Sequence, residues 1–87
     1  MKTKLLENMR VAFVLYPGIE ELDFVGPWEM MTMWRDYAGG PKEIFTVAEK
    51  KSVFECAKGL KVKPDRSFSH VKEADILVIG GGFAARE

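Results

Sequence analysis

The chain has 87 residues, of which 47% are hydrophobic and 30% charged, and its 13 basic side chains balance 13 acidic ones. This length allows at most one small domain with a marginal core, and the neutral charge excludes the basic surface of a nucleic-acid or anionic-lipid binder. The sequence shows neither the apolar stretch of a signal peptide nor the roughly 20 apolar residues of a membrane span. We therefore expect a cytoplasmic protein that has neither nucleic acid nor a membrane as its partner.

The first predicted elements are a buried strand and a long helix. The segment "MRVAFVLY", residues 9–16, is rich in β-branched and aromatic residues, which is typical of a strand covered on both faces. Residues 20–37 then change to a helical period. Because proline suits the first position of a helix, we expect a short turn, a kink at Gly26 and a main helix that begins at Pro27. Its apolar stripe consists of Pro27, Met30, Met31, Trp34 and Tyr37.

The second half of the chain predicts shorter elements. "KEIFTVAE" (42–49) is a strand, "SVFEC" (52–56) and "LKVKP" (60–64) form a hairpin, "SHVKEA" (69–74) gives one or two helical turns, and "DILVIGGG" (75–82) is a second doubly covered strand. This order predicts an α/β sandwich with a parallel sheet. Right-handed crossovers place the first strand between the last one and "KEIFTVAE". Ligands of such sheets bind beyond the carboxyl ends of the strands, where the loop after Tyr16 and the bend after Ile79 would meet.

Three acidic residues follow the first strand in "YPGIEELDFVGPWE". Glu20 and Glu21 suit the first turn of a helix, where the backbone dipole favours negative charge. Asp23 lies between Leu22 and Phe24, so we expect it either to have a functional role, as a carboxylate whose proton affinity is set by its neighbours, or to serve as a cap or buried hydrogen-bond acceptor.

The last predicted strand ends in three consecutive glycines, Gly80, Gly81 and Gly82. They match neither a dinucleotide-binding fingerprint nor a P-loop. Two interpretations stay open at this point. The amides could form a nest for an oxyanion or a carboxylate, or the glycines could supply the positive φ of a turn between strand and helix.

The segments "FVLYPGIEELDFVGPWE" and "AKGLKVKPDRSFSHVKEADILVIGGGFAARE" together resemble the opening half of the DJ/PfpI superfamily, the class I glutamine amidotransferase-like proteins. The Leu-Asp-x-x-Gly-Pro pattern is similar to isonitrile hydratases and to the sensor domains of AraC-type regulators. The resemblance implies a partial, flavodoxin-like α/β fold. It implies that Asp23 contacts a nucleophilic cysteine, that the amides of Gly81 and Gly82 line the substrate or oxyanion site, and that Arg86 is a basic residue near the bend. Gly80 and Ala84 depart from the pattern, which usually has proline and glycine there.

The nucleophile that the resemblance implies is not found in this sequence. It belongs to a later strand-to-helix elbow, so we expect residues 1–87 to be the N-terminal part of a domain that lacks its nucleophile-bearing second half. Cys56, the only cysteine, lies in a hairpin without a glycine elbow or a nearby histidine, and we interpret it as a packing residue. His70, the only histidine, is interpreted as structural. We expect no metal site and no cofactor.

Packing predicts the same incompleteness, because two doubly covered strands need more helices than the chain supplies. A second copy, a partner chain or a longer polypeptide would then complete the fold, and a homo-oligomer is expected. Three hypotheses about function remain: the front of a cysteine-dependent hydrolase, hydratase or lyase of isonitrile hydratase type that is inactive alone, the small-molecule-sensing part of a transcription regulator, or a truncated oligomerising module.

Overall fold

A parallel sheet forms the centre of the structure, a computed structural model that describes residues 8–71 and 73–80. Its strands, in chain order, are β1 (Arg10–Val14), β2 (Glu43–Ala48), β3 (Phe54–Glu55), β4 (Lys61–Val62), β5 (Arg66–Ser67) and β6 (Ile76–Ile79). Four of them form the parallel sheet in the spatial order β5-β2-β1-β6, and β3 and β4 form an antiparallel hairpin. The predicted α/β fold, the hairpin and the position of β1 between β2 and β6 are confirmed. The two-residue strand β5 was not predicted.

One long helix, α1 (Glu21–Ala38), follows β1. The prediction that the main helix begins at Pro27 is wrong, since α1 begins at Glu21 and continues through Pro27. Two acidic residues in the first turn, Glu21 and Asp23, complement the helix dipole, and an interior proline removes one backbone hydrogen bond without forbidding the helix. The helix ends at Gly39, whose left-handed backbone (φ 71°) lets its N–H donate to the carbonyl of Trp34.

The face that α1 packs on the sheet differs from the predicted apolar stripe. Phe24 is buried, and the ring of Trp28 lies edge-on to Phe13, with 5.3 Å between the ring centroids. By contrast, Met30 and Tyr37, two members of the predicted stripe, are 73% and 83% exposed. Met31 of the predicted stripe does pack against the core beneath α1, so the buried face overlaps the predicted stripe and is rotated toward Phe24 and Trp28. In this arrangement Phe24 is buried and Trp28 contacts Phe13 at the centre of β1.

Strand β1 is covered on both faces, as predicted. Val11 and Phe13 join the core beneath α1, whereas Ala12 packs with Phe45 and Val47 on the opposite face. The prediction that the last strand is doubly covered is wrong for the described part of the chain. Ile76 and Val78 of β6 pack against the core beneath α1, but the alternating residues Leu77 and Ile79 are 61% and 65% exposed. The reason is that α1 covers only the other face of β6, while the described residues packed on this face, Val71 and Ala74, join the cluster of Ala12, Phe45 and Val47.

The connections are fixed by side chains that bond to distant backbone. Asp65 accepts the N–H of Thr46 at 2.9 Å, and the Thr46 hydroxyl accepts the N–H of Asp65 at 2.8 Å. Asp75 accepts the N–H of Arg10 at 2.8 Å at the start of β6. One or two helical turns were predicted for residues 69–74, whereas the structure has a 3₁₀ turn at Phe68–His70. No helix in the described part of the chain is long and apolar enough to span a membrane.

Candidate functional site

The carboxyl ends of β1 and β6 bring the acidic loop and Gly80 together. Val14 pairs with Ile79 in the parallel ladder, so the residues that follow each strand leave the sheet side by side. Tyr16 then donates its hydroxyl hydrogen to the carbonyl oxygen of Gly80, with 2.6 Å between the oxygens. Tyr16 was not predicted as a site residue, although its place at the end of the buried run, before Pro17 and Gly18, is a signal that could have identified it.

Asp23 lies directly against Gly80. A Cβ atom built on Gly80 would be 2.7 Å from the Cβ of Asp23 and 3.3 Å from its carbonyl oxygen. Such a contact is shorter than carbon atoms tolerate, so only glycine fits here without a shift. Gly80 is therefore needed for close approach, and its φ is not positive. The other glycines of the predicted nest, Gly81 and Gly82, and also Arg86, lie outside the described residues.

The surroundings of Asp23 differ from the apolar setting expected for it. Phe24 is buried, but Leu22 is 73% and Val25 41% exposed, and Asp23 itself is an exposed residue. Asp23 is therefore a residue of the protein surface at this corner. Its proposed role is still a prediction.

Asp23 also acts on the phenol of Tyr16. Burial raises the pKa of Tyr16, and the negative charge of Asp23 raises it further. Both effects disfavour a second negative charge at the corner. We call the group of Tyr16, Asp23 and Gly80 the acid–glycine corner. It combines one carboxylate, one neutral phenol and a strand end that leaves no room for a side chain, and it can hold or transfer a proton next to a bound group.

The other two acids of the loop have structural roles. The Glu21 carboxylate accepts the backbone N–H of Lys58, at 3.0 and 2.9 Å to its two oxygens, and that of Leu60 at 3.1 Å. Burial opposes ionisation of Glu21, but these backbone N–H groups and the charge of Lys58 outweigh it and lower its pKa. Glu20 pairs with the Lys58 ammonium group at 2.9 Å. Both acids therefore hold the hairpin turn against the start of α1.

The only cysteine and the only histidine of the sequence do not belong to the acid–glycine corner. Cys56 is buried, and its pKa is raised first by burial and then by the charge of Glu21, so its sulfur remains a protonated thiol at neutral pH. His70 is exposed, and its Nδ1 lies 2.8 Å from the hydroxyl of Ser67. Within residues 8–71 and 73–80, no group of three or more His, Cys, Asp or Glu side chains could hold a metal ion.

This architecture defines the protein class: a parallel α/β domain with an acid at the start of its long helix and a glycine directly after the neighbouring strand β6. The chain belongs to the DJ-1/PfpI family, whose model matches residues 9–87. No curated protein matches the sequence significantly.

Solved structures support the same assignment. A DJ-1 superfamily protein from Agrobacterium tumefaciens is 29% identical over 90% of this chain, with a TM-score of 0.67. A ThiJ/PfpI family protein from Pseudomonas syringae is 25% identical over 93% of the chain, with a TM-score of 0.67. DJ-1 from Schizosaccharomyces pombe, at 21% identity over 87% of the chain and a TM-score of 0.72, shows the shared fold. The chain spans only 40%, 33% and 42% of these three proteins, respectively.

Proposed function

We propose that these residues are the acid-bearing front part of a cysteine-dependent DJ-1/PfpI enzyme of the isonitrile hydratase or amidase type, and that the 87-residue chain has no turnover alone. The observation that supports this proposal is the contact between Asp23 and Gly80 at the carboxyl end of the parallel sheet. Two segments separated by more than fifty residues converge there, at the edge where open α/β sheets bind their ligands.

The corner's chemistry suits a cysteine nucleophile supplied from outside these residues. A carboxylate beside a thiol can accept the thiol proton, so that the resulting thiolate attacks an electrophilic carbon. The carboxyl group can then return that proton to the product. Backbone amides of a glycine bend would stabilise the negative charge that develops on the substrate. Cys56 cannot replace that nucleophile, because it is buried, its pKa is raised, and its backbone is held in the hairpin by a 2.8 Å bond to the Leu60 carbonyl.

A second candidate function is the sensing of a small molecule in an AraC-type regulator. In such a regulator the domain binds a ligand without converting it, and the cavity at the carboxyl ends of β1 and β2 supports this candidate. In both cases a further chain segment or another copy would cover apolar surface. The exposed residues Met30 and Tyr37 on α1, and Leu77 and Ile79 on β6, are the surface we propose for that contact. Sedimentation of the purified chain as a compact monomer would contradict this part of the proposal.

The turnover assay follows formamide production from an alkyl isonitrile and ammonia release from a simple amide. We expect neither product from the chain or from its Cys56→Ser variant. Turnover that persists in Cys56→Ser would show that another group attacks the substrate and would overturn the proposal. Loss of turnover with this variant would instead identify Cys56 as the nucleophile, which also contradicts it.

The coding sequence beyond codon 87 separates the candidates. A cysteine on a strand-to-helix elbow supports the enzyme, a helix-turn-helix supports the regulator, and a stop codon supports an oligomerising module. If the elbow is encoded, Asp23→Asn in the longer protein should lower kcat/KM by about 10² to 10⁴, the range of one general acid–base group. Glu20→Gln is the matched control, since Glu20 contacts the hairpin lysine rather than the corner, and it should retain activity.

A further inference from the structure

A cavity of about 360 Å³ opens at the carboxyl ends of β1 and β2, and neither Asp23 nor Gly80 is among the residues that line it. We call it the strand-end cavity. Its lining includes two buried residues, Leu15 and Ala48, and three aromatic rings, those of Tyr16, Phe54 and Phe68. Its volume falls within the range of about 300 to 1,000 Å³ that small-molecule sites occupy. It lies beyond the carboxyl ends of the strands, the edge of the sheet on which ligands bind, one strand away from the switch point between β1 and β6.

Two apolar residues of the lining, Phe54 and Phe68, remain partly exposed to solvent. Phe68 is 50% exposed, and Phe54 is only partly buried although it packs against the core. Covering these rings with an aliphatic ligand would remove apolar surface from water, which is favourable in proportion to the area buried. The cavity therefore has a physical reason to take up an apolar group.

Polar side chains at the cavity come from the loop after β2. Glu49, Lys50 and Ser52 contribute to the lining, whereas Lys51 lines a different depression. None of the ion pairs in the described part of the chain involves Lys50 or Glu49. Among the residues that line the cavity, one carboxylate (Glu49) and one ammonium group (Lys50) balance in charge, so Lys50 is the cation of this lining that can pair with an anion. The ammonium group of Lys50 has three donors on a flexible stem and can reach an anion at the cavity.

We propose that the strand-end cavity binds a small aliphatic carboxylate, with its alkyl chain against Phe54 and Phe68 and its carboxylate paired with Lys50. This site goes beyond the proposed function, because it does not need Asp23 or a cysteine. Tyr16 connects the two places physically: its ring lines the cavity and its hydroxyl bonds to Gly80 in the acid–glycine corner.

The test uses three probes that share one alkyl chain: octanoate, octanol and octylammonium. Each is titrated into the isotopically labelled chain, and amide chemical shifts report both the affinity and the location. We expect saturable shifts at Val14, Ala48, Ser52 and Phe68, with octanoate bound most tightly. Lys50→Gln should weaken octanoate about three- to fivefold, the range of an exposed ion pair, and should leave octanol unchanged. Lys51→Gln makes the same charge change one residue away and should have no effect.

The outcomes are distinguishable. Equal affinity for the three probes, an equal effect of Lys51→Gln, or no saturable binding of octanoate at millimolar concentration would overturn the proposal. Shifts confined to the apolar groove on α1 lined by Pro27, Met30, Met31 and Trp34 would also overturn it. Both lysines are exposed, so the variants should fold, and dispersed amide spectra check that they do. A failed turnover assay leaves this result unaffected, so the two proposals can fail separately.

Discussion

The acid–glycine corner can be tested with two glycine-to-alanine substitutions that should have opposite signs. In Gly80→Ala the new Cβ would be 2.7 Å from the Asp23 Cβ, about 1 Å closer than carbon atoms prefer. Overpacking of this kind costs about 1–3 kcal/mol, and the lower entropy of the unfolded alanine chain offsets roughly 0.5 kcal/mol of it. In Gly26→Ala, the new Cβ meets nothing within 4 Å in the interior of α1, and helix propensity should stabilise the chain by about 0.5–1 kcal/mol.

Urea unfolding followed by circular dichroism measures both variants. We expect Gly80→Ala to be less stable than Gly26→Ala by about 2–3 kcal/mol, which is a large part of a small domain's stability. The cost should also depend on Asp23. In an Asp23→Gly background, where the opposing Cβ is gone, Gly80→Ala should cost about 1 kcal/mol less. If the two alanine variants are equally stable, or if the cost of Gly80→Ala is the same with and without the Asp23 side chain, the contact that supports the proposed function is absent.

Three further predictions concern the core, the hairpin and the phenol. Phe13→Ala, at a fully buried position beneath α1, should lower the free energy of unfolding by about 3–5 kcal/mol, and Phe13→Leu much less, in the same urea assay. The pKa of Glu21 is lowered in the fold despite burial, through the N–H groups of Leu60 and Lys58, so its contribution is present above the unfolded pKa and is lost as pH falls through the folded one. Glu21→Gln should therefore reduce stability at pH 7 but little in strong acid, and an equal loss at both pH values would contradict this. The pKa of Tyr16, raised by burial and then by Asp23, should fall in Asp23→Asn, and phenolate absorbance in a Tyr37→Phe background measures Tyr16 alone.

The sheet could be predicted from the sequence because it depends on local apolar runs and on a general rule for the handedness of connections. Continuous apolar runs indicated β1 and β6, and the handedness of crossovers placed them side by side. The start of α1 could not be predicted in this way. Pro27 is a strong local signal for a first helical position, but the Glu21 carboxylate is held by Lys58 and Leu60, almost forty residues later. A contact of that range leaves no trace in the spacing of residues near the helix start.

The buried face of α1 also could not be predicted from the sequence. A stripe through Met30 and Tyr37 and a stripe through Phe24 and Trp28 are both apolar, so periodicity alone does not decide which one is buried. The shape of the sheet decides it, because the Phe13 ring at the centre of β1 receives the edge of Trp28. The site residues likewise divide into those that follow from sequence position and contacts that only the folded structure shows. Asp23 could be proposed from its sequence position, and the position of Tyr16 at the end of the buried run was a usable signal, but its contact with the Gly80 carbonyl, sixty-four residues away, could not be predicted.

The contact between Gly80 and Asp23 gives a physical reason why this chain has glycine at position 80, where the family pattern usually has proline. Proline, which the pattern usually has at this position, carries a Cβ atom, and in this backbone that atom would collide with Asp23. A proline at position 80 of this chain would require Asp23 or the end of β6 to shift. Here the acid can approach the bend closely, and its charge reaches the Tyr16 phenol. Gly80 thus permits the close approach of Asp23 to the end of β6, and in the proposed function it would set the distance between the acid and a group bound there.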